Sequence, residues 1–99
     1  MTVVVEVIAV GHRRSNILKI AKRLSEILKT DLVEIESLES DSDSKSFKVT
    51  VEGESVDYEE LEEALLELGL TVCEVKKIVI RASSRIKQRG AMIETTDSE

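Results

Sequence analysis

Apolar positions recur with two different periods along this chain. Around Phe47, Val49 and Val51 they alternate with Lys48, Thr50 and Glu52, the period of a strand with one buried face. Gly53 ends that run, and Glu54-Ser55 are polar enough for an exposed turn. The spacing then changes to three and four. Tyr58, Leu61, Ala64, Leu65 and Leu68 fall on one side of a helix, with Glu59, Glu60, Glu62, Glu63 and Glu67 on the other. Asp57 stands where an N-cap is needed and Glu60 follows three residues later, the spacing of a capping box. Glutamates in the first turns suit the positive end of the helix dipole, and Gly69 supplies a left-handed stop. The stretch VTVEGESVDYEELEEALLELG therefore predicts a strand, a turn and a capped amphipathic helix.

The rest of the chain arranges itself around that unit. Thr2 to Val10 is β-rich and apolar on both sides except at Glu6, which predicts a strand in the middle of a sheet. Gly11-His12-Arg13-Arg14 reads as a polar loop, with Ser15 the expected cap of a first helix. Its apolar stripe is Ile17, Ile20, Ala21, Leu24, Ile27 and Leu28; Lys19, Lys22, Arg23 and Lys29 make the exposed side basic. Val33, Ile35 and Ser37 alternate with Glu34, Glu36 and Leu38, giving a second strand. Glu39 to Lys45 reads as a hairpin connection into the strand of Phe47. Val72 to Ala82 supplies a fourth strand, with Cys73 and Val75 facing the core and a bulge at Lys76-Lys77, where the alternation changes phase. Residues 1–84 form one domain on this reading, and residues 85–99 a polar, partly disordered tail.

The order is β-α-β-β-α-β. Right-handed crossovers place both helices on one face of a four-stranded antiparallel sheet, an α+β sandwich of the ferredoxin-like kind. The basic and acidic helices then lie side by side, which predicts ion pairs between Lys19, Lys22 or Arg23 and Glu59, Glu62 or Glu63. The opposite sheet face receives Val4, Ile8, Val10, Leu32 and Leu38 among Glu6, Glu34, Glu36, Lys48 and Thr50. Aliphatic residues on a central strand with no helix above them predict contact with a second copy, against the plainer reading of scattered surface aliphatics. Val4, Ile8, Val10 and Leu38 are the interface candidates, and a homo-oligomer is the expectation.

Composition narrows the function classes. With 99 residues, 41% hydrophobic and 34% charged, the chain is long enough for one modest core. Tyr58 and Phe47 are the two aromatics and the net charge is −6, a poor basis for gripping phosphates or stacking on bases. Arg81, Arg85, Lys87 and Arg89 are too few and too unaided to reverse that expectation. Cys73 stands alone, so it makes no intramolecular disulfide or CxxC pair and fits a reducing cytoplasm. TVVVEVIAV carries Glu6 and lacks a basic lead, which makes it a strand rather than a signal peptide. No apolar run is long enough to span a bilayer, and a cytoplasmic location is expected.

The stretch VTVEGESVDYEELEEALLELG also resembles an archaeal family known as domain of unknown function 211, whose members share the strand-E-G turn, the acidic-aromatic helix start and the glycine stop. The resemblance runs back through VEIESLESDSDSKSFK, where Glu39 and Asp41 match a recurring acidic pair, and forward through TVCEVKKIVI. It implies a ferredoxin-like fold, homo-oligomeric assembly, no established activity, and divalent cations at the acidic positions. Two places differ: an L-D-V-L-K-P segment of the family corresponds to VEVIAVGHRR, and its H-S-x-D-E segment to Cys73, Glu74, Lys76 and Lys77.

Candidate chemistry is sparse. Glu39, Asp41 and Asp43 alternate with serines in the hairpin, and oxygen-rich loops suit calcium or magnesium. The spacing is not that of an EF-hand, so a solvated turn that resists aggregation comes first and a metal site second. Glu34 or Glu36 of a neighbouring chain is a candidate to complete it. His12, Arg13, Arg14 and Ser15 precede a helix start, where free N–H groups and guanidinium groups suit a phosphate or carboxylate. ACT-type regulatory domains, similar in fold alone, bind small ligands near this loop. The plainer reading is a charged, exposed loop. Cys73 reads as a small buried hydrophobe, His12 has no second imidazole beside it, and no catalytic triad, phosphate loop or zinc spacing appears. The expectation is a non-enzymatic structural or binding module, with a small-anion sensor as the alternative.

Overall fold

A computed structural model describes residues 1–82; the tail expected from residue 85 lies outside the described residues. Strand β1 (Thr2–His12) leads into helix α1 (Ile17–Leu28), strands β2 (Leu32–Ser40) and β3 (Ser44–Gly53), helix α2 (Tyr58–Glu67) and strand β4 (Thr71–Arg81). The four strands form one antiparallel sheet in the order β2-β3-β1-β4. The ferredoxin-like α+β architecture expected from the pattern is the one observed, and β1 is central, as its apolar run requires.

Both helices cover the same sheet face. Val5, Val7 and Ala9 of β1 and Phe47, Val49 and Val51 of β3 pack there beneath Ile20 and Leu24 of α1 and Leu61, Ala64 and Leu65 of α2. No charged or polar residue is fully buried among the described residues, so the core is aliphatic apart from Phe47. Burying each large side chain contributes about 1.5–3 kcal/mol.

Helix α2 is fixed at both ends. The Asp57 carboxylate accepts from the N–H groups of Glu59 (2.9 Å) and Glu60 (3.4 Å), the cap half of the expected capping box. At the other end Leu70 N–H donates to Leu65 O at 2.8 Å and Gly69 N–H to Leu66 O at 3.0 Å. Gly69 has φ +88°. Leu65 and Leu70 are both buried, which completes a Schellman stop with its hydrophobic contact.

Helix α1 departs from the reading in one respect. Asn16, not Ser15, is its cap, accepting from Lys19 N–H at 3.0 Å. β1 runs on through Gly11 to His12, and Ser15 N–H closes a turn onto His12 O at 2.9 Å, so the helix begins one residue later. Its exit places Lys29 in the left-handed region, with φ 54°.

Gly11 is where the end of β1 touches the α2–β4 turn. A Cβ there would run into Leu70 Cδ2 and lie 3.1 Å from Ser15 Oγ and 3.3 Å from Gly69 O. The constraint is space, not backbone conformation.

Strand β4 carries two bulges against β1. Val7 pairs with Val75 and Glu6 with Lys77, leaving Lys76 extra; Ala9 pairs with Val72 and Ile8 with Glu74, leaving Cys73 extra. The irregularity expected at the lysine pair is therefore present, and a second one overturns the assignment of Cys73 to the core. Its thiol is exposed. The expected ion pairs between the helices are also absent among the described residues. Those formed are Arg23–Glu26 at 3.8 Å along α1 and Lys48–Glu36 at 3.3 Å across β3 and β2. Direction keeps Lys19 from Glu59, since the start of α1 lies by the end of α2, where Asn16, Lys19 and Ile20 share a groove with Glu67 and Leu68; Glu62 and Glu63 are exposed and do not line that groove. Glu59 and the other early acids of α2 lie near the opposite end.

Candidate functional site

The uncovered sheet face is built in rows by the strand register. One row runs Leu32, Glu52, Val4 and Val79; the next Glu34, Thr50, Glu6 and Lys77; a third Glu36, Lys48, Ile8 and Glu74. Ser46, Val10 and Thr71 follow toward the hairpin. Val4, Ile8 and Val10 are neither buried nor fully open, and Leu38 is exposed. Val4, Ile8 and Val10 thus stand on the face without helices, and Leu38 falls in the irregular stretch of β2 between Ser37 and Ser40. Glu6, Glu34, Glu36, Glu52 and Glu74 against Lys48 and Lys77 leave that face with an excess of carboxylates.

At the hairpin end, Val10, Glu39, Ser40, Asp41, Ser44 and Ser46 line a depression of about 220 Å³. The structure therefore brings together an interface candidate, Val10, and two metal candidates, Glu39 and Asp41. Asp43 does not line it. The Asp41 carboxylate is already engaged: its Oδ1 accepts from the N–H groups of Asp43 and Ser44, both at 2.9 Å, and from Ser44 Oγ at 3.2 Å. Hydrogen bonds from Ser44 and Asp43 hold the Asp41 carboxyl below the usual aspartate range. Such an Asx turn is the local reason the hairpin closes. Among the described residues no three His, Cys, Asp or Glu side chains converge as a metal-holding group within one chain.

The first loop abuts this hairpin. Arg13 N–H donates to Asp43 O at 3.2 Å, and His12 Nδ1 accepts from Arg14 N–H at 3.0 Å. The imidazole thus shapes the loop through one nitrogen. Of the anion candidates, Arg14 and Ser15 join Asn16, Lys19, Ile20, Glu67 and Leu68 around an open groove of about 410 Å³, whereas His12 and Arg13 do not line it.

The edge strand adds a feature that the sequence reading did not single out. Val75, Ile78 and Ile80 are opposite Val7, Val5 and Val3, hence on the helix side. They are nevertheless 42%, 57% and 62% exposed. Val72 packs against the core, so α2 shelters only the start of β4.

No helix among the described residues is long and apolar enough to cross a membrane. A family model described as DUF211, uncharacterised ArCR, matches residues 1–96 of the chain. No curated protein matches it.

Proposed function

The chain belongs to the DUF211 family of uncharacterised ArCR proteins, and from that premise we propose that it works as a self-assembling structural or binding module of the cytoplasm. The observation that carries this reading is the uncovered face, where Val4, Ile8 and Val10 lie on the central strand with no helix above them. The exposed edge residues Val75, Ile78 and Ile80 support it by extending apolar surface to the sheet margin. Surface of this kind gains most when a second copy removes it from water.

Charge sets a condition on that contact. Two copies stacked on a face rich in glutamate oppose like charges, and a divalent cation at the Glu39–Asp41–Asp43 hairpin relieves the repulsion. Within this reading Glu39 and the second oxygen of Asp41 supply part of the ligand set, and Glu34 or Glu36 of the neighbouring copy supplies the rest. Light scattering after size-exclusion chromatography tests the assembly. Wild-type protein is expected above monomer mass and Ile8→Lys at a lower mass than wild type; a wild-type monomer at micromolar concentration ends the proposal. Calcium and magnesium titrations of wild type against the Glu39→Gln/Asp41→Asn/Asp43→Asn variant test the cation. Equal affinities remove the hairpin from it.

A second reading rests on the groove at Arg14, Ser15 and Lys19. Its cations and the start of α1 suit a small anion, which makes the molecule a metabolite sensor. Loss of metabolite binding in Arg13→Ala/Arg14→Ala, with assembly intact, favours the sensor. Metabolite binding unchanged in that variant rejects it.

A further inference from the structure

The outward faces of the two helices carry opposite charge, and each has a leucine at a corresponding place. On α2, Leu66 is 63% exposed amid the exposed acids Glu59, Glu62, Glu63 and Glu67. On α1, Leu18 is 71% exposed and shares a shallow depression of about 270 Å³ with Lys19, Lys22 and Arg23. Glu26 also borders that depression, but it is paired with Arg23. One isolated surface leucine calls for no explanation. Two leucines, one ringed by anions and one flanked by cations, form matching halves.

Their placement makes the match reciprocal. Leu18 is in the first turn of α1 and Leu66 in the last turn of α2, and those ends adjoin across the groove shared by Lys19 and Glu67. A twofold axis parallel to the helices, lying above the helix layer, sets α1 of one copy over α2 of the other. Leu18 then meets the partner's Leu66, and Lys22, one turn further along, approaches the partner's Glu62 and Glu63. The same contacts recur on the other side of the axis, so the interface closes on two copies.

We propose that the helix layer is an electrostatically matched docking surface for a second copy of this chain, with Leu18 against Leu66 at the centre of each half and lysines facing glutamates around them. It is separate from the uncovered sheet face and acts alongside it. A copy paired through one layer still presents the other, so use of both builds assemblies larger than a dimer.

Exposed ion pairs of this kind weaken with added salt. Sedimentation velocity of the full chain at about 0.05 M and 0.5 M salt is expected to show this step weakening at least tenfold. Ile8→Lys isolates it by removing the sheet-face contact, and in that variant a salt-sensitive dimer is expected to remain. Lys19→Glu/Lys22→Glu and Glu62→Lys/Glu63→Lys are each expected to abolish that dimer, and combining all four changes to restore it. All four positions are exposed, and circular dichroism confirms that each variant is folded. A strictly monomeric Ile8→Lys variant, a salt-independent dimer, or failure of the fourfold variant to recover overturns the proposal. A wild-type mass unchanged by Ile8→Lys but abolished by the charge reversals instead counts against the sheet-face reading alone.

Discussion

Replacing Gly11 by alanine puts one methyl group where three neighbours already stand. The new Cβ collides with Leu70 Cδ2 and comes within 3.1 Å of Ser15 Oγ and 3.3 Å of Gly69 O. Leu70 is 1% exposed, so its rotamer has little freedom. Gly69 O belongs to a backbone held by the Schellman bonds of α2. Relief must come from shifting β1 against the α2–β4 turn, and overpacking of this kind costs about 1–3 kcal/mol. For a domain of this size each kcal/mol corresponds to roughly 4–8 °C in Tm. The assay is urea unfolding followed by circular dichroism at one fixed protein concentration, because self-association makes apparent stability depend on concentration. Leu70→Ala alone is expected to cost about 2–5 kcal/mol through the cavity it leaves. The Gly11→Ala/Leu70→Ala pair is then expected to cost less than the sum, by about 0.5–3 kcal/mol, since the second change removes the atom that the first one strikes. A Gly11→Ala midpoint equal to wild type, or strict additivity in the pair, refutes the steric account.

Three further outcomes follow from single residues. Lys29→Gly is expected to raise stability by about 0.5–1 kcal/mol in the same urea assay, because a lysine at φ 54° is strained where glycine is not. Thr30→Val is expected to be neutral or stabilising by up to about 1 kcal/mol, since the buried Thr30 Oγ1 has no hydrogen-bond partner and valine keeps its shape. Asp41 bears on acid stability: its folded-state pKa is depressed by hydrogen bonds from Ser44 and Asp43. The stabilisation is therefore present above the unfolded-state pKa and is lost as pH falls through the lower folded-state value. Urea midpoints measured across that acid range are expected to fall less in Asp41→Ala than in wild type; equal slopes contradict the assignment.

Much of the fold was legible because period carries the information. The alternation around Phe47 and the three-and-four spacing from Tyr58 to Leu68 specify β3 and α2 outright, and Asp57 and Gly69 mark the helix ends by their own chemistry. The misreadings have tertiary causes. Ser15 and Asn16 are both good caps, and the choice was made by β1 continuing to His12 and by the turn that Ser15 N–H closes onto it. The expected ion pairs between helices depended on direction and on which side chains face the shared groove, neither of which side-by-side placement alone specifies. Exposure of Ile78 and Ile80 reflects the sheet order, which leaves β4 at an edge; an apolar run reads the same at an edge as at the centre.

The candidate sites were legible as residue types more than as arrangements. Acids and serines in the hairpin pointed both to a turn and to a cation, and the turn reading is met by Asp41 Oδ1. That Val10 shares a depression with Glu39 and Asp41 depends on the β1–β3 register, which no local pattern encodes. Leu18 and Leu66 were equally invisible as a pair, because their correspondence arises only when two antiparallel helices bring distant ends together.

The bulges at Cys73 and Lys76 let β4 count in threes. Val72, Val75 and Ile78 keep to one side of the sheet at an interval that ordinarily belongs to a helix, because each surplus residue absorbs the step that would otherwise turn the next aliphatic over. Deleting either residue would leave the pairs on both sides of it in place and restore plain alternation there, so Val72, Val75 and Ile78 would keep their side while the strand lost the bend that a bulge imparts. One lost codon would thus straighten the margin of the sheet without carrying any side chain to its other surface.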